Sequence, residues 1–164
     1  MSKIKIKNSK QKIADILLKI GCVNINFKNK FTLTSGKKSP VYVDCRKLIS
    51  FPKEREIVIN EMTKLIKSKY KKKVIVAGGE TAGIPYSSFI SHKLKMPMVY
   101  IRKQPKGFGK GKLIEGEYKK KSTSILIEDM ATDGGSKLHF INSLRKNTLS
   151  IKDIYVVFFY NIYP

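Results

Sequence analysis

Two adjacent acids, Glu128 and Asp129, stand directly before a small polar turn that contains two glycines. The segment reads LIEDMATDGGSK over residues 126–137. A glycine-rich turn that opens a helix can direct several backbone N–H groups at one anion. Carboxylates repel phosphate, but they accept hydrogen bonds from hydroxyl groups. The pattern therefore predicts a ligand that carries a phosphate and hydroxyls close together, such as a ribose 5-phosphate.

The turn itself leaves a second interpretation open, in which glycine serves only the geometry of a strand-to-helix connection. The known phosphate loops GxxxxGK[ST] and GxGxxG do not occur in the chain. Thr132 and Ser136 add hydroxyl donors to the turn, and Asp133 adds a third carboxylate. We expect the Asp133 side chain to point away from a bound phosphate while its backbone N–H faces it.

Two more segments with unusual chemistry follow apolar runs. GGETAGIP follows VIVA, and the basic stretch RKQPKGFGKGK follows VYI. Ligands of open α/β sheets bind beyond the carboxyl ends of the strands, so these segments are expected to meet the acid pair there. Residues 103–120 carry glycines, a proline and many lysines that interrupt any period. They predict a long mobile loop with a β-hairpin in its second half.

The elements that must position these segments alternate between strand and helix. Runs of β-branched residues predict strands at 74–78, 97–101, 124–129 and 154–159. Helices are predicted to end at Gly21, to begin at Pro52, to span 84–94, and to follow the turn. The predicted helix faces are Ile13, Ile16, Leu17 and Ile20; Val58, Met62, Leu65 and Lys69; and Leu138, Ile141 and Leu144. Extended pieces are predicted around a turn at 35–40, with Phe27, Phe31 and Leu33 alternating before it and Val41–Val43 after it. This order predicts an α/β domain with a mostly parallel sheet.

The formal net charge of +22 first suggests a nucleic acid or an anionic membrane as partner. Only 4 of the 34 basic residues are arginine, which nucleic-acid sites favour, and the lysines are spread along the whole chain. Nucleic acid is therefore an unlikely partner. No apolar run reaches the roughly 20 residues of a membrane span, and no signal peptide is evident. We expect a soluble cytoplasmic protein.

The cysteines and histidines give no metal-binding pattern. Cys22 and Cys45 lack CxxC spacing and are expected to be free thiols in a reducing compartment. His92 and His139 are expected on helix surfaces. The sequence thus predicts no metal site built from protein ligands.

The acid pair and its turn resemble the phosphoribosyl pyrophosphate signature of type I phosphoribosyltransferases. Three further segments resemble orotate phosphoribosyltransferases: FTLTSGKKSPVYVDCRKL, GGETAGIP and RKQPKGFGKGKLIEG. These four motifs occur in the family's order over residues 31–136, so the match is specific. The resemblance implies a type I phosphoribosyltransferase fold over residues 1–164. That fold has an N-terminal hood over 1–50 and a core over 51–164 with a mostly parallel sheet flanked by helices.

The resemblance also implies an activity and its site. The 5-phosphoribosyl group would pass from phosphoribosyl pyrophosphate to orotate, giving orotidine 5′-monophosphate and pyrophosphate in pyrimidine biosynthesis. Mg²⁺ would be carried mainly by the pyrophosphate, and the enzyme would be a homodimer. Catalytic roles fall on Arg102, Lys106 and Asp129, and orotate contacts on Tyr42, Val43 and Thr132. Contacts to phosphoribosyl pyrophosphate fall on Thr81, Ala82, Arg102, Lys103, Lys106, Glu128, Asp129, Met130, Ala131, Thr132, Asp133, Gly134, Gly135 and Ser136.

The basic loop suits this chemistry, because Arg102, Lys103 and Lys106 could neutralise the charge that builds on departing pyrophosphate. A closing loop would also exclude water from the sugar donor. Replacing Lys106 with alanine is expected to lower kcat by orders of magnitude while the fold survives.

The chain departs from the family pattern at three positions, where Phe108, Thr34 and Tyr160 replace a histidine, a lysine and an arginine. An inactive copy, a transferase for another nucleobase, and a non-catalytic nucleotide or RNA binder therefore stay open as alternatives. FTLTSGKKSP argues against another base, because that region shapes the orotate side of the family's site. The chain stops at Pro164 directly after a core strand, which predicts a C-terminally truncated form.

Overall fold

A computed structural model of the chain describes residues 2–33, 36–105, 112–132 and 134–160, without the side chains of residues 2–8 and Ser136. The chain divides into two compact units, Met1–Val58 and Ile59–Pro164. The single domain with a hood over residues 1–50 stays a prediction. Among the described helices, none has the length and apolar character needed to cross a membrane.

The first unit contains two short antiparallel strand pairs after a helix. Its elements are α1 (Ser2–Lys19), β1 (Val23–Ile25), β2 (Phe31–Thr32), β3 (Lys38–Ser39), β4 (Val41–Val43), a 3-10 helix (Cys45–Ser50) and the start of α2 (Pro52–Lys69). Strand β1 pairs with β4, and β2 pairs with β3. Gly21 follows α1 in left-handed backbone, with φ of 68°, so glycine suits this helix end. Cys22 and Cys45 are buried free thiols, as predicted.

The second unit is built on a five-stranded sheet. Its elements are β5 (Ile75–Gly79), α3 (Gly83–Leu94), β6 (Met98–Ile101), β7 (Ile114–Glu115), β8 (Thr123–Ala131), α4 (Gly135–Lys146) and β9 (Ser150–Phe159). The strand order is β7-β6-β5-β8-β9. Strands β6, β5, β8 and β9 run parallel, and β7 is antiparallel to β6. The predicted α/β fold with a mostly parallel sheet is confirmed.

The central strands are buried on both faces, which explains their continuous apolar runs. All five residues of β5 are buried. One face packs on α4 through a cluster of buried side chains: Ile75, Ala77, Val99, Ile101, Ile114, Leu126, Phe140, Leu144 and Leu149. On the other side, a Cβ on Gly78 would overlap the Gly83 backbone and the Ser87 hydroxyl of α3. Glycine thus allows α3 to lie directly on the sheet.

Four predicted positions are wrong, and one of them is Lys69 on the predicted face of α2, whose side chain is 58% exposed. Leu65 and Leu138 are 41% and 59% exposed, because α2 and α4 bury neighbouring residues, such as Ile66 and Phe140, instead. Apolar periodicity locates a helix face only to within about one residue when adjacent positions are also apolar. Phe27 is 76% exposed and lies in a bend between β1 and β2 rather than in a strand.

The basic stretch also differs from its prediction. The described strand within it, β7, pairs with β6 instead of forming a separate hairpin inside the loop. Strand β8 runs on to Ala131 and pairs with β9 as far as Phe159. Glu128 and Asp129 therefore belong to the hydrogen-bonded ladder of a central strand, which fixes their backbone.

Candidate active site

The carboxyl ends of three parallel strands meet at one edge of the sheet. Gly79, the last residue of β5, pairs in register with Ile101, the last residue of β6. On its other side β5 pairs with β8, where Gly78 lies opposite Ile127. The segments that follow β5 and β6 therefore start beside Glu128. The structure thus brings the acid pair, GGETAGIP and the start of the basic loop together, as predicted.

Glu128 is 5% exposed, and both of its carboxylate oxygens have partners inside the protein. Oε1 accepts a hydrogen bond of 3.0 Å from the Gly79 N–H, and Oε2 lies 3.3 Å from the Lys137 ammonium. Burial raises the pKa of Glu128 to about 7. Lys137 opposes this rise in pKa, and the neighbouring Asp129 adds to it. The Glu128 carboxylate is therefore fixed by two contacts. Because its pKa lies near neutral pH, a change in those contacts would change its charge.

Asp129 is also buried, at 7% exposed. Its Oδ1 accepts a hydrogen bond of 2.8 Å from the Met130 N–H. Consecutive residues of a strand point to opposite faces, so the two acids have different surroundings. The family resemblance assigns ribose hydroxyls to both acids without distinguishing them. That assignment stays a prediction for each acid.

The glycine-bearing turn leads directly from β8 into α4. Gly134 is the N-cap of α4 with φ of 85°, a left-handed conformation that glycine adopts at little cost. Its carbonyl accepts the first described helical bond, from the Leu138 N–H at 3.0 Å. Thr132 precedes this cap and is half-buried, whereas Asp133 lies outside the described residues. The dipole of the α4 N-terminus favours an anion at this point.

The segment from Gly79 to Gly83 lies against Glu128 and the start of the basic loop. The Glu80 carboxylate accepts a hydrogen bond of 2.7 Å from the Lys103 N–H, which fixes the start of the basic loop. The Glu80–Thr81 peptide bond is cis. Thr81 is exposed and Ala82 half-buried, so both predicted contact residues are accessible.

Arg102 and Lys103 follow β6 at the same edge. The Arg102 guanidinium Nε donates a hydrogen bond of 3.3 Å to the Gln104 carbonyl, and the Lys103 side chain is exposed. Lys106 and Phe108 lie outside the described residues, as does Thr34. Two of the three predicted basic-loop cations are therefore located at the site edge.

The predicted orotate residues of the first unit have unequal exposure. Val43 is 1% exposed and pairs with Val23 in the β1–β4 ladder, so little of it is accessible to a ligand. Tyr42 is half-buried, its ring centroid lies 5.6 Å from that of Phe31, and its hydroxyl accepts a hydrogen bond from Arg46. Tyr160 has its ring 5.1 Å from that of Phe158.

Sequence reasoning missed four residues that organise this edge: Gly79, Glu80, Gly83 and Lys137. A Cβ on Gly79 or on Gly83 would lie well under 3.0 Å from Glu128 Oε1. The paired glycines of GGETAG were a signal of this close approach. Lys137 was also detectable, since a cation in the first turn of a helix opposes the helix dipole and requires a compensating acid.

Comparison with known proteins extends the likeness over most of the chain. No protein-family model matches it. An orotate phosphoribosyltransferase of Ruegeria sp. (strain TM1040) is 43% identical over 153 residues, which are 92% of this chain and 68% of that protein. The solved orotate phosphoribosyltransferase of Aeropyrum pernix has a TM-score of 0.73 at 26% identity, covering 88% of this chain and 79% of that one. A UMP synthase of Leishmania donovani gives 0.74 at 30% identity over 90% of this chain and 36% of that one. The chain thus spans about two thirds of the first relative and about a third of the last.

Proposed function

The chain belongs to the orotate phosphoribosyltransferase family, and we propose that it transfers the 5-phosphoribosyl group from phosphoribosyl pyrophosphate to orotate. The products are orotidine 5′-monophosphate and pyrophosphate, and the reaction is a step of pyrimidine biosynthesis. One observation carries the proposal at the level of the site. Two buried acids stand in a central strand directly before a glycine-capped helix N-terminus, at the edge where the basic loop also begins.

The donor's 5′-phosphate binds at the turn from Ala131 to Ser136. Backbone N–H groups at the start of α4 donate to the phosphate oxygens, and the helix dipole favours the negative charge. The acids Glu128 and Asp129 hold the ribose hydroxyls. Met130 lies between these acids and the turn and contacts the donor there. This division of labour explains why acids and a phosphate turn occur in one segment.

The basic loop acts on the leaving group. Breaking the anomeric C–O bond gives an oxocarbenium-like transition state, in which negative charge accumulates on pyrophosphate. Arg102, Lys103 and Lys106 neutralise that charge, and Thr81 and Ala82 border the same side of the donor. Closure of the glycine-rich loop excludes water, which would otherwise hydrolyse the donor.

Thr132, Tyr42 and Val43 are the proposed contacts of orotate. Its ring nitrogen attacks the anomeric carbon as pyrophosphate departs. The half-buried Tyr42 ring supplies the apolar surface against which a planar base packs.

Mg²⁺ enters this reaction as a companion of pyrophosphate. Pyrophosphate oxygens are the hard ligands that Mg²⁺ prefers, so the ion is held mainly by the substrate. Bound there, it would offset phosphate charge; Asp129 is the acid placed to orient the sugar beside it.

The homodimer and the cytoplasmic location complete the proposal. Family membership supports the dimer, which size-exclusion chromatography with light scattering would test. The buried free thiols of Cys22 and Cys45 fit a reducing compartment.

The direct test is to incubate this chain with orotate, phosphoribosyl pyrophosphate and Mg²⁺, and to follow orotate by ultraviolet absorbance and orotidine 5′-monophosphate by mass spectrometry. We expect turnover with orotate and none with adenine or uracil. Turnover with another base alone would show the related transferase. Absence of turnover together with salt-sensitive RNA binding would show the non-catalytic alternative.

A further inference from the structure

Lys137 occupies a position that ordinary helix chemistry disfavours. It lies in the first turn of α4, where the helix dipole repels a cation. Its side chain is only 12% exposed, so water does little to stabilise the ammonium. A buried cation at the amino end of a helix needs a specific anionic partner.

That partner is Glu128, which also contacts the opposite side of the site. One carboxylate oxygen lies 3.3 Å from the Lys137 ammonium, and the other accepts from the Gly79 N–H at 3.0 Å. Glu128 therefore connects the first turn of α4 to the end of β5. A Cβ on Gly83 would overlap the same carboxylate, so the start of α3 is packed against it as well.

We propose that Lys137 is a positioning residue which, through Glu128, holds the phosphate turn and the Gly79–Gly83 segment in fixed relation to one another. The inference rests on the proposed function, in which these two segments bind the 5′-phosphate and the pyrophosphate side of one donor. A donor molecule spans both segments, so their relative placement decides how well it binds in a reactive geometry.

The electrostatic surroundings of Glu128 are simple. Among the described residues, the charged groups that act on it are Lys137 from α4 and Asp129 from its own strand. The adjoining parts of β5 and α3 contribute Gly79 and Gly83, which carry no charge. Removing Lys137 leaves only influences that raise the pKa of Glu128, apart from the Gly79 hydrogen bond. The acidic limb of the activity profile should consequently move to higher pH when Lys137 is replaced.

The experiment compares Lys137→Met with Lys146→Met, the same exchange at an exposed lysine of the same helix. We expect Lys137→Met to raise KM for phosphoribosyl pyrophosphate by about tenfold or more, with a smaller change in kcat. Lys146→Met should match wild type, and Lys137→Arg should recover most of the affinity because it keeps the cation.

A double-mutant cycle separates positioning from direct substrate contact. In a Glu128→Gln background, which removes the acid's charge, adding Lys137→Met should change KM by less than about twofold. A tenfold loss in that background would show that Lys137 binds the substrate itself and would overturn the proposal. The double variant carries neither member of the buried ion pair, so it can be assayed even if Lys137→Met alone does not fold.

Amide hydrogen exchange gives a readout that needs no turnover. Lys137→Met should accelerate exchange in the peptide that covers residues 79–83, whereas Lys146→Met should not. Unchanged exchange there would overturn the coupling even in an active enzyme. Faster exchange in a chain that does not convert orotate would uphold the coupling while rejecting the proposed function.

Discussion

The two ends of the parallel sheet in the second unit differ in charge and in how their polar groups are held. At the amino end, an open groove of about 1040 Å³ is lined by one acid, Glu117, and by Lys69, Lys71, Lys72, Lys73, Lys119 and Lys152. At the carboxyl end, Glu128 and Asp129 are buried and hydrogen-bonded to backbone N–H groups. Among the described residues, the amino end carries more positive charge, whereas the acids of the carboxyl end are buried and hydrogen-bonded.

This difference indicates that the number of charged side chains is a poor guide to where an anionic substrate binds and reacts. Lys71, Lys72 and Lys73 are exposed, and solvated lysines give a high potential without fixing any geometry. The buried acids, by contrast, are costly to fold and require the glycines and Lys137 around them. Groups that the fold holds at such cost mark a functional site better than a count of lysines does.

The amino end also has an acid, Asp153, whose carboxylate connects β9 to the end of α2 and the residue after it. It accepts hydrogen bonds from the Tyr70 hydroxyl and, at 2.5 Å, from the Lys69 ammonium. These two donors hold the pKa of Asp153 below its usual value. Burial, followed by the bond to Asp153, raises the pKa of Tyr70. Asp153 thus provides a matched acid against which the acids of the carboxyl end can be tested.

The largest effect is expected from Asp129→Asn, compared with Asp153→Asn. If Asp129 holds ribose hydroxyls, the neutral amide should lower kcat/KM by about 100-fold or more. The same exchange at Asp153 should leave kcat/KM per folded enzyme within about twofold, because it lies at the other end of the sheet. Steady-state assays after circular dichroism has confirmed folding would measure both. Equal losses in the two variants would remove the functional distinction between the ends.

The second effect is a pH dependence of stability that has opposite sign at the two ends. Burial raises the pKa of Glu128 from 4.5 to about 7, so the folded chain binds more protons than the unfolded chain between these values. The free energy of unfolding contributed by Glu128 is therefore greatest below pH 4.5 and falls until about pH 7, by about 3 kcal/mol. Asp153 has a lowered pKa, so its contribution is present above its unfolded pKa and is lost as the pH falls.

Urea unfolding between about pH 2 and 8 tests this contrast, because the contribution of Asp153 changes only as the pH falls below its unfolded pKa of 3.8. Relative to wild type, Glu128→Gln should gain stability as the pH rises, whereas Asp153→Asn should lose stability as the pH rises from acid. Parallel curves for wild type and Glu128→Gln would contradict the raised pKa of Glu128.

A smaller effect is expected from Gly83→Ala, which tests how closely the carboxyl end is packed. Alanine favours a helix by about 1 kcal/mol over glycine. The added Cβ would overlap Glu128 Oε1 and the Ile127 carbonyl oxygen, and the latter belongs to the backbone of β8 and cannot move aside. We expect a net destabilisation of about 1–3 kcal/mol in thermal or urea unfolding. Ser88→Ala, at an exposed position of the same helix, is the control, and equal stability of both variants would contradict the packing.

Much of the fold could be predicted because its signals are local. Pro52 marks the start of α2, and the β-branched run before Gly78 marks β5. The buried face of α2 was predicted less well. Leu65 and Ile66 are both apolar, and only tertiary packing decides which of the two is buried. The antiparallel pairing of β7 with β6 also depends on a contact between distant parts of the chain, which periodicity does not contain.

The candidate site divides in the same way. The acid pair and its turn were evident because they are contiguous in sequence. The ion pair of Glu128 with Lys137 and the bond from Lys103 to Glu80 join residues from different strand ends. Such pairs become apparent only when the strand order places β5 between β6 and β8.

The smallest effect is expected from replacing Lys71, Lys72 and Lys73 together with serine. Strand β8 begins at the groove, and at about 3.3 Å per residue Asp129 lies about 20 Å farther along it. That distance exceeds two Debye lengths of about 8 Å at physiological salt, so the lysines barely affect a substrate at the carboxyl end.

We therefore expect kcat/KM for phosphoribosyl pyrophosphate to change by less than about twofold at physiological salt in the triple variant. At about 10 mM salt, where screening reaches about 30 Å, a modest decrease should appear. Lys103→Ser removes a single charge at the carboxyl end and should cost more than all three groove lysines. A loss in the triple variant that equals the Lys103→Ser loss at physiological salt would show that the amino-end groove takes part in substrate capture. In that case total charge, and not only the buried contacts, would locate the function of this sheet.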